Sequence, residues 1–154
     1  MMKFIFLIVL IVGVLVYVKL SSSKNIAKNT EKKYNITTQV TTDNSSNILG
    51  KTFKSRKSNI QVRGEGIVIK ILSDDTEGSR HQRFILKLST GQTLLIAHNI
   101  DLAPRIGSLK RGDKVKFYGE YDWNTKGGVI HWTHHDPKRK HTGGWLKHKD
   151  RTYQ

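Results

Sequence analysis

The stretch that most constrains the fold is residues 111–137, RGDKVKFYGEYDWNTKGGVIHWTHHDP, which is typical of a β-hairpin. In residues 114–122 apolar and polar side chains alternate, which gives a strand one apolar face and one hydrated face. The Asn and Gly residues of segment 124–128 favour a turn, and residues 129–134 are predicted to pair back as a second strand. The chain therefore contains a hairpin that ends in a dense group of histidine, tryptophan and aspartate residues.

Three earlier stretches carry strand signals of the same kind and are separated by short polar turns: residues 62–72, 81–88 and 92–98. A longer connection then leads into the hairpin. Three meander strands, a longer link and a final hairpin form the strand order of an oligonucleotide/oligosaccharide-binding (OB) barrel. The sequence thus predicts an all-β fold, a small five-stranded OB-like barrel over residues 61–137. A generic sandwich of five or six strands is the structural alternative.

The N-terminus carries an unbroken apolar run at residues 4–18, flanked by Lys3 and Lys19. A spanning helix needs roughly 20 residues, a length that the flanking residues supply if the lysine side chains extend toward the interface. Residues 1–20 are therefore predicted to form a hydrophobic helix that anchors the chain in a membrane by a single pass. The alternative is a cleaved signal peptide, which would leave a secreted or periplasmic protein. The lysines that follow the run would leave the domain in the cytoplasm by the positive-inside rule, and export is the alternative, since large C-terminal domains often cross regardless of charge.

The chain is strongly basic, because 27 Lys and Arg residues face 12 Asp and Glu residues for a net charge of +15. Residues 21–60 are rich in Ser, Thr, Asn and Lys and are predicted to form a disordered basic linker. Residues 138–154 are predicted to form a basic C-terminal tail. The absence of cysteine excludes disulfides, a disulfide-linked partner and thiolate zinc sites. The charge favours an anionic partner such as a nucleic acid or a membrane surface.

A positive groove with stacking aromatic side chains is typical of proteins that bind single-stranded nucleic acid. Alternation in the second strand places Arg83 on its solvent face. The residues predicted to bind a polyanion are Arg80, Arg83, Arg105, Lys138, Arg139 and Lys140 by charge, and Tyr118 and Trp123 by stacking. Ordinary solvated charge is the alternative interpretation of the same residues.

Imidazole and carboxylate groups bind divalent metal ions without any help from cysteine. The residues predicted to hold such an ion are His98, Asp101, His134 and Asp136. His81 or His131 would then act as the general base of a metal-dependent hydrolase, such as a nuclease. The alternative is that these side chains hydrogen-bond to one another and cap turns.

The domain resembles an uncharacterised family of short bacterial and phage proteins. The phrases that carry the resemblance lie between residues 66 and 154 and include GSRHQRF, LIAHNIDLAPR, GGVIHWTHHDP and the Gly-Trp pair at 144–145. The resemblance implies a short N-terminal hydrophobic segment followed by a compact domain, and it implies no reaction.

Three functional hypotheses follow from the sequence. The first is a membrane-tethered OB-like module that binds a polyanion such as single-stranded nucleic acid, and the second is a metal-dependent hydrolase. The third is a structural module of the cell envelope that binds another protein.

Overall fold

A computed structural model describes residue 19, residues 22–32 and residues 47–154 of the chain. The chain divides into two compact units, residues 1–41 and 42–154. Residues 22–32 are helical and exposed. The predicted hydrophobic helix at residues 4–18 lies outside the described residues. Among the helical segments that the structure does describe, none has the length and apolar character needed to cross a bilayer.

Within residues 47–154 one short helix, at residues 47–54, precedes a run of β-strands. The strands are β1 (Ile60–Ile71), β2 (His81–Lys87), β3 (Thr93–Asn99), β4 (Lys114–Asp122), β5 (Val129–His131), β6 (Trp145–His148) and β7 (Arg151–Tyr153).

Five of these strands close into a barrel, which confirms the predicted five-stranded architecture. β1 pairs antiparallel with both β2 and β4, so it belongs to both halves of the barrel. β2 continues to β3, β3 pairs parallel with β5, and β5 pairs antiparallel with β4. The strand order around the barrel is therefore β1-β2-β3-β5-β4 and back to β1.

Two glycines allow β1 to coil tightly enough to serve both halves. A Cβ atom on Gly64 would lie 2.7 Å from the ring of Phe117, and one on Gly66 would lie 2.9 Å from the carbonyl oxygen of Lys87. Real side chains do not fit at such distances, so the neighbouring strands approach β1 because these positions lack a side chain. A register shift between Val68 and Lys70 adds a bulge that bends the strand further.

The core lies inside the barrel and follows the predicted alternation of each strand. β4 shows it most clearly, since every second residue from Val115 to Tyr121 is buried and the intervening residues are not. The fully buried side chains include Val68, Phe84, Leu86, Leu94, Ile96, Ile106, Phe117 and Ile130. Burial of a side chain of this size contributes about 1.5–3 kcal/mol, so the apolar face of the barrel is the main source of its stability.

The structure adds ordered elements on either side of the predicted barrel. Residues 47–54, within the stretch predicted as a linker, form a helix whose Leu49 is completely buried in the core. In the stretch predicted as a tail, β6 pairs with β4 and β7 pairs with β6, which buries Leu146 and Tyr153. Each of these elements is too short to show a periodic pattern, and each becomes ordered because one or two apolar side chains reach the barrel core.

The second strand of the hairpin is shorter than predicted, because β5 ends at His131 rather than at residue 134. Trp132 has a φ angle of 50°, in the left-handed region, and this turns the chain away from the barrel. Residues 132–144 then form a loop that returns to β4, where Gly144 leads into β6.

We expect substitution of Gly119 by alanine to destabilise the barrel where β4 meets β5. The added Cβ would lie 2.5 Å from the carbonyl oxygen of His131 and 2.8 Å from Cγ2 of Thr133. Overpacking of this kind costs about 2–3 kcal/mol, which urea-induced unfolding measures directly. Gly107→Ala is the matched control, since no atom lies within 4 Å of its Cβ position. Equal unfolding midpoints for the two variants would contradict this account of barrel closure.

Candidate functional site

The three arginines predicted to bind a polyanion are all paired with aspartates of the same domain. Arg105 makes two hydrogen bonds to Asp74, at 3.0 and 3.2 Å. The Nε of Arg80 lies 2.6 Å from Asp101 Oδ1, and Arg83 Nη1 lies 3.5 Å from Asp75. Arg80 and Arg105 therefore join the β1–β2 connection to the β3–β4 connection, and Arg83 joins strand β2 to the β1–β2 connection.

The two aromatic residues predicted to stack on a ligand contact other side chains of the domain. Tyr118 lies on the outer face of β4, with the Arg63 guanidinium 5.2 Å from its ring centre and the Trp145 ring 6.2 Å away. Trp123 packs against the core, with its ring 6.5 Å from Phe53 and 5.3 Å from the Arg56 guanidinium.

The basic segment Lys138, Arg139 and Lys140 is exposed, and its backbone is fixed by Asp136. The two carboxylate oxygens of Asp136 accept hydrogen bonds from the backbone N–H groups of Lys138, Lys140 and His141, at 2.7–2.9 Å. The N–H groups of Lys138 and His141 hold the pKa of Asp136 below its usual value. Asp136, predicted as a metal ligand, is thus engaged with the backbone of its own loop.

His98, another predicted metal ligand, is completely buried with both ring nitrogens occupied. Nε2 lies 3.2 Å from the carbonyl oxygen of Pro104 and Nδ1 lies 2.8 Å from Thr133 Oγ1. A carbonyl oxygen only accepts, so Nε2 carries the proton and Nδ1 accepts from the threonine hydroxyl. His98 therefore links β3 to the loop that follows β5.

The remaining predicted residues also have local partners. Asp101 accepts hydrogen bonds from the backbone and side chain of Arg80, which hold its pKa below the usual value. His134 is buried, with Nδ1 2.7 Å from the carbonyl oxygen of His135. His81 Nδ1 lies 2.7 Å from the carbonyl oxygen of Ser79. The structure therefore brings several of these residues to one end of the barrel, but it does not converge His98, Asp101, His134 and Asp136 on a shared point.

Among the described residues, the group that converges in this way is Glu120, Asp122 and His131, which we call the β4–β5 cluster. One ligand atom from each lies within 4.8 Å of the others. His131 Nε2 is 2.9 Å from Asp122 Oδ2 and 3.6 Å from Glu120 Oε1. The side chains are 13–32% exposed, so the cluster is half-buried on the outer face of the barrel.

The strand register explains why these side chains meet. Glu120 and Asp122 are two residues apart on β4 and so project from the same face. β5 pairs with this end of β4 and places His131 opposite Glu120. His131 was predicted as a general base, but the two carboxylates were not predicted as site residues. The hairpin pattern indicates this site, because pairing residues 114–122 with residues 129–134 places His131 opposite the outward-facing carboxylates of Glu120 and Asp122.

A second feature is a cleft of about 690 Å³ at the end of the barrel where helix 47–54 meets two turns. One turn joins β2 to β3 and the other joins β4 to β5. Among the residues that the structure describes, the lining includes Lys51, Lys54 and Lys126, together with Phe53 and Gln92, and no acidic residue. Gln92 Nε2 donates to the carbonyl oxygen of Gly127 at 2.8 Å, which holds the two turns together.

A comparison with protein families matches residues 33–154 to DUF3465, described as a protein of unknown function. The chain belongs to the DUF3465 family. This confirms the resemblance that the phrases between residues 66 and 154 carry. None of the curated proteins matches the chain. Since the description of the DUF3465 family gives no activity, the function of this member has to be argued from its own contacts.

We expect His98 to make the stability of this DUF3465 domain dependent on pH. Burial lowers the pKa of His98 from 6.5 to about 4, so the folded protein does not take up the proton that the unfolded chain binds below pH 6.5. Stability is therefore complete above pH 6.5 and falls by about 3 kcal/mol as the pH drops toward 4. Urea unfolding at a series of pH values measures this loss. His98→Asn should flatten the slope in that range, and an unchanged slope in the variant would contradict the assignment.

Proposed function

We propose that this domain binds a polyanion, such as single-stranded nucleic acid, in the cleft beside helix 47–54. The observation that carries the proposal is the lining of the cleft, which has three lysines and no acidic residue among the described residues. All three lysines are exposed at the cleft. A nucleic acid carries a phosphate at every nucleotide, so several lysine side chains in one cleft can neutralise successive phosphates of the same strand.

The distribution of ion pairs favours the cleft over the sites predicted from sequence. Arg80, Arg83 and Arg105 each face an aspartate, so binding a phosphate there would require breaking an existing pair. Within the described part of the chain, no acidic side chain lines the cleft beside its three lysines, which supports anion binding there rather than at the paired arginines.

The cleft also offers an aromatic surface. Phe53 lines it, and the rings of Phe53 and Trp123 stack with an angle of 28° between their planes. An aromatic ring next to lysines supports binding of single strands, because every base has a flat face that can stack regardless of sequence. The strand order of the barrel, β1-β2-β3-β5-β4, is also that of OB barrels, in which loops at the barrel end contribute to oligonucleotide binding. Fold similarity alone does not carry function, so the charge of the cleft is the stronger support.

Membrane tethering through residues 4–18 remains part of the proposal, as an anchor that would hold this cleft near a bilayer. The alternative from sequence is a metal-dependent hydrolase that uses His98, Asp101, His134 and Asp136. The contacts of these four residues within the domain do not favour it. Both ring nitrogens of His98 and both carboxylate oxygens of Asp101 and of Asp136 have partners in the domain, and so does Nδ1 of His134.

We expect replacement of Lys51, Lys54 and Lys126 together by glutamine to weaken binding of a fluorescent oligothymidine by tens of fold at low salt. Each phosphate contact contributes about 0.7 to the slope of log K against log salt for a single strand, so the triple variant should lose about 2 from that slope. Fluorescence anisotropy of the full chain at several sodium chloride concentrations measures both quantities.

The control is Lys110, Lys147 and Lys149 replaced together by glutamine, since these lysines are exposed and do not line the cleft. The control removes the same net charge, so it should retain most of the affinity if the cleft is the site. Equal losses in the two triple variants would show attraction by overall charge instead. Undetectable binding of the unmodified chain at low ionic strength would remove the proposal altogether.

A further inference from the structure

We infer that Glu120, Asp122 and His131, the β4–β5 cluster, form a binding site for a divalent transition-metal ion such as Zn²⁺. The inference is independent of the proposed polyanion cleft, because none of these three residues lines it.

The distances between the side chains suit a shared ion. Bonds from Zn²⁺ to carboxylate oxygen and imidazole nitrogen are about 2.0–2.2 Å, which separates neighbouring ligand atoms of a tetrahedral site by about 3.3–3.6 Å. The observed separations from His131 Nε2 are 2.9 Å to Asp122 Oδ2 and 3.6 Å to Glu120 Oε1. Small rotations of the side chains would therefore bring all three atoms to bonding distance from one point.

The orientation of His131 argues against an ordinary hydrogen bond in this cluster. Its Nε2 is buried and makes no hydrogen bond, although a carboxylate oxygen lies only 2.9 Å away. A buried nitrogen that makes no hydrogen bond costs free energy, and a hydrogen bond to Asp122 would need the ring N–H to point at that oxygen. As placed, Nε2 has only charge contacts with the two carboxylates. A metal ion between the three groups would satisfy Nε2 and the facing charges of both carboxylates.

The surrounding contacts hold each carboxylate by its other oxygen. Asp122 Oδ1 accepts a hydrogen bond from the backbone N–H of Asn59 at 2.9 Å. Glu120 Oε2 lies 3.4 Å from His141 Nδ1. Metal-binding carboxylates usually have such outer partners, which fix the orientation of the oxygen that faces the ion.

His141 lies beside Glu120 because the loop after β5 turns back toward β4. Asp136 fixes the backbone of the loop through three N–H groups, the last of which belongs to His141. The ring of His141 then stacks on Trp132, with 3.9 Å between centres and 5° between planes. His141 is thus a positioning residue for Glu120, held by a stacked indole and a structured loop.

The ligand set indicates the class of ion. Two carboxylates and one imidazole suit zinc, manganese, iron or cobalt, whereas Mg²⁺ and Ca²⁺ prefer sites made of oxygen alone. The chain contains no cysteine that could offer a thiolate instead. We therefore expect Zn²⁺ and Co²⁺ to bind and an equal concentration of Mg²⁺ or Ca²⁺ not to displace them.

The test uses the full chain without an affinity tag, stripped with a chelator and titrated with Zn²⁺ or Co²⁺ by calorimetry and absorption spectroscopy. We expect one ion per chain. Glu120→Gln and His131→Gln should each weaken binding by more than about 100-fold, because loss of an outer partner alone costs about 10–100-fold. His141→Gln should fall in that smaller range.

Two control variants separate the cluster from the other acidic and histidine residues. Glu65→Gln removes a carboxylate of β1 that forms ion pairs with Lys114 and Lys116. His135→Gln removes an exposed histidine. Both should bind the ion as the unmodified chain does. X-ray absorption of the zinc-loaded chain should show nitrogen and oxygen neighbours only, with the scattering pattern of imidazole. This readout does not depend on the folding of any variant.

The inference fails if the unmodified chain binds neither Zn²⁺ nor Co²⁺ in a one-to-one ratio, which would leave the cluster as an ion-pair network. It also fails if Glu120→Gln and His131→Gln bind as tightly as Glu65→Gln, since the ion would then be held by other residues. Neither result would bear on oligothymidine binding in the cleft.

Discussion

Pairing of one strand with two neighbours is the constraint on which the rest of this structure depends. β1 pairs with both β2 and β4, and Gly64 and Gly66 make room for that curvature. Closure of the barrel fixes which residues of β4 face outward and which strand end lies next to β5. The positions of the β4–β5 cluster and of the cleft both follow from that closure, although their residues come from separate parts of the chain.

The period-two alternation was enough to predict the barrel and four of its strands to within about two residues, because burial on one face leaves a strong pattern. It was not enough for helix 47–54, β6 or β7, which depend on single side chains such as Leu49 and Leu146. The end of β5 was misjudged because a left-handed residue at Trp132 leaves no trace in hydrophobicity. Irregular backbone and short elements are decided by tertiary packing rather than by local pattern.

The candidate sites were harder to predict than the fold. The sequence indicates the cationic residues Arg80, Arg83 and Arg105, but it does not reveal that each of them pairs with an aspartate of the domain. Conversely, the position of Glu120 opposite His131 follows from the hairpin register, whereas the run of histidines in the sequence points to other residues. Proximity along the chain is a poor guide on strands, where neighbours alternate faces and the closest groups lie across the ladder.

The shortest seam of the barrel is the parallel junction between β3 and β5, which has two paired positions, Leu95 with Val129 and Ile96 with Ile130, against three between β4 and β5. The turns that flank this seam are fastened to each other by Gln92 and Thr93, which donate to the carbonyl oxygens of Gly127 and Lys126. Local opening of a protein begins where few backbone bonds must break. A molecule bound across both turns would hold β3 and β5 together, and it would slow amide exchange at this seam before anywhere else in the barrel.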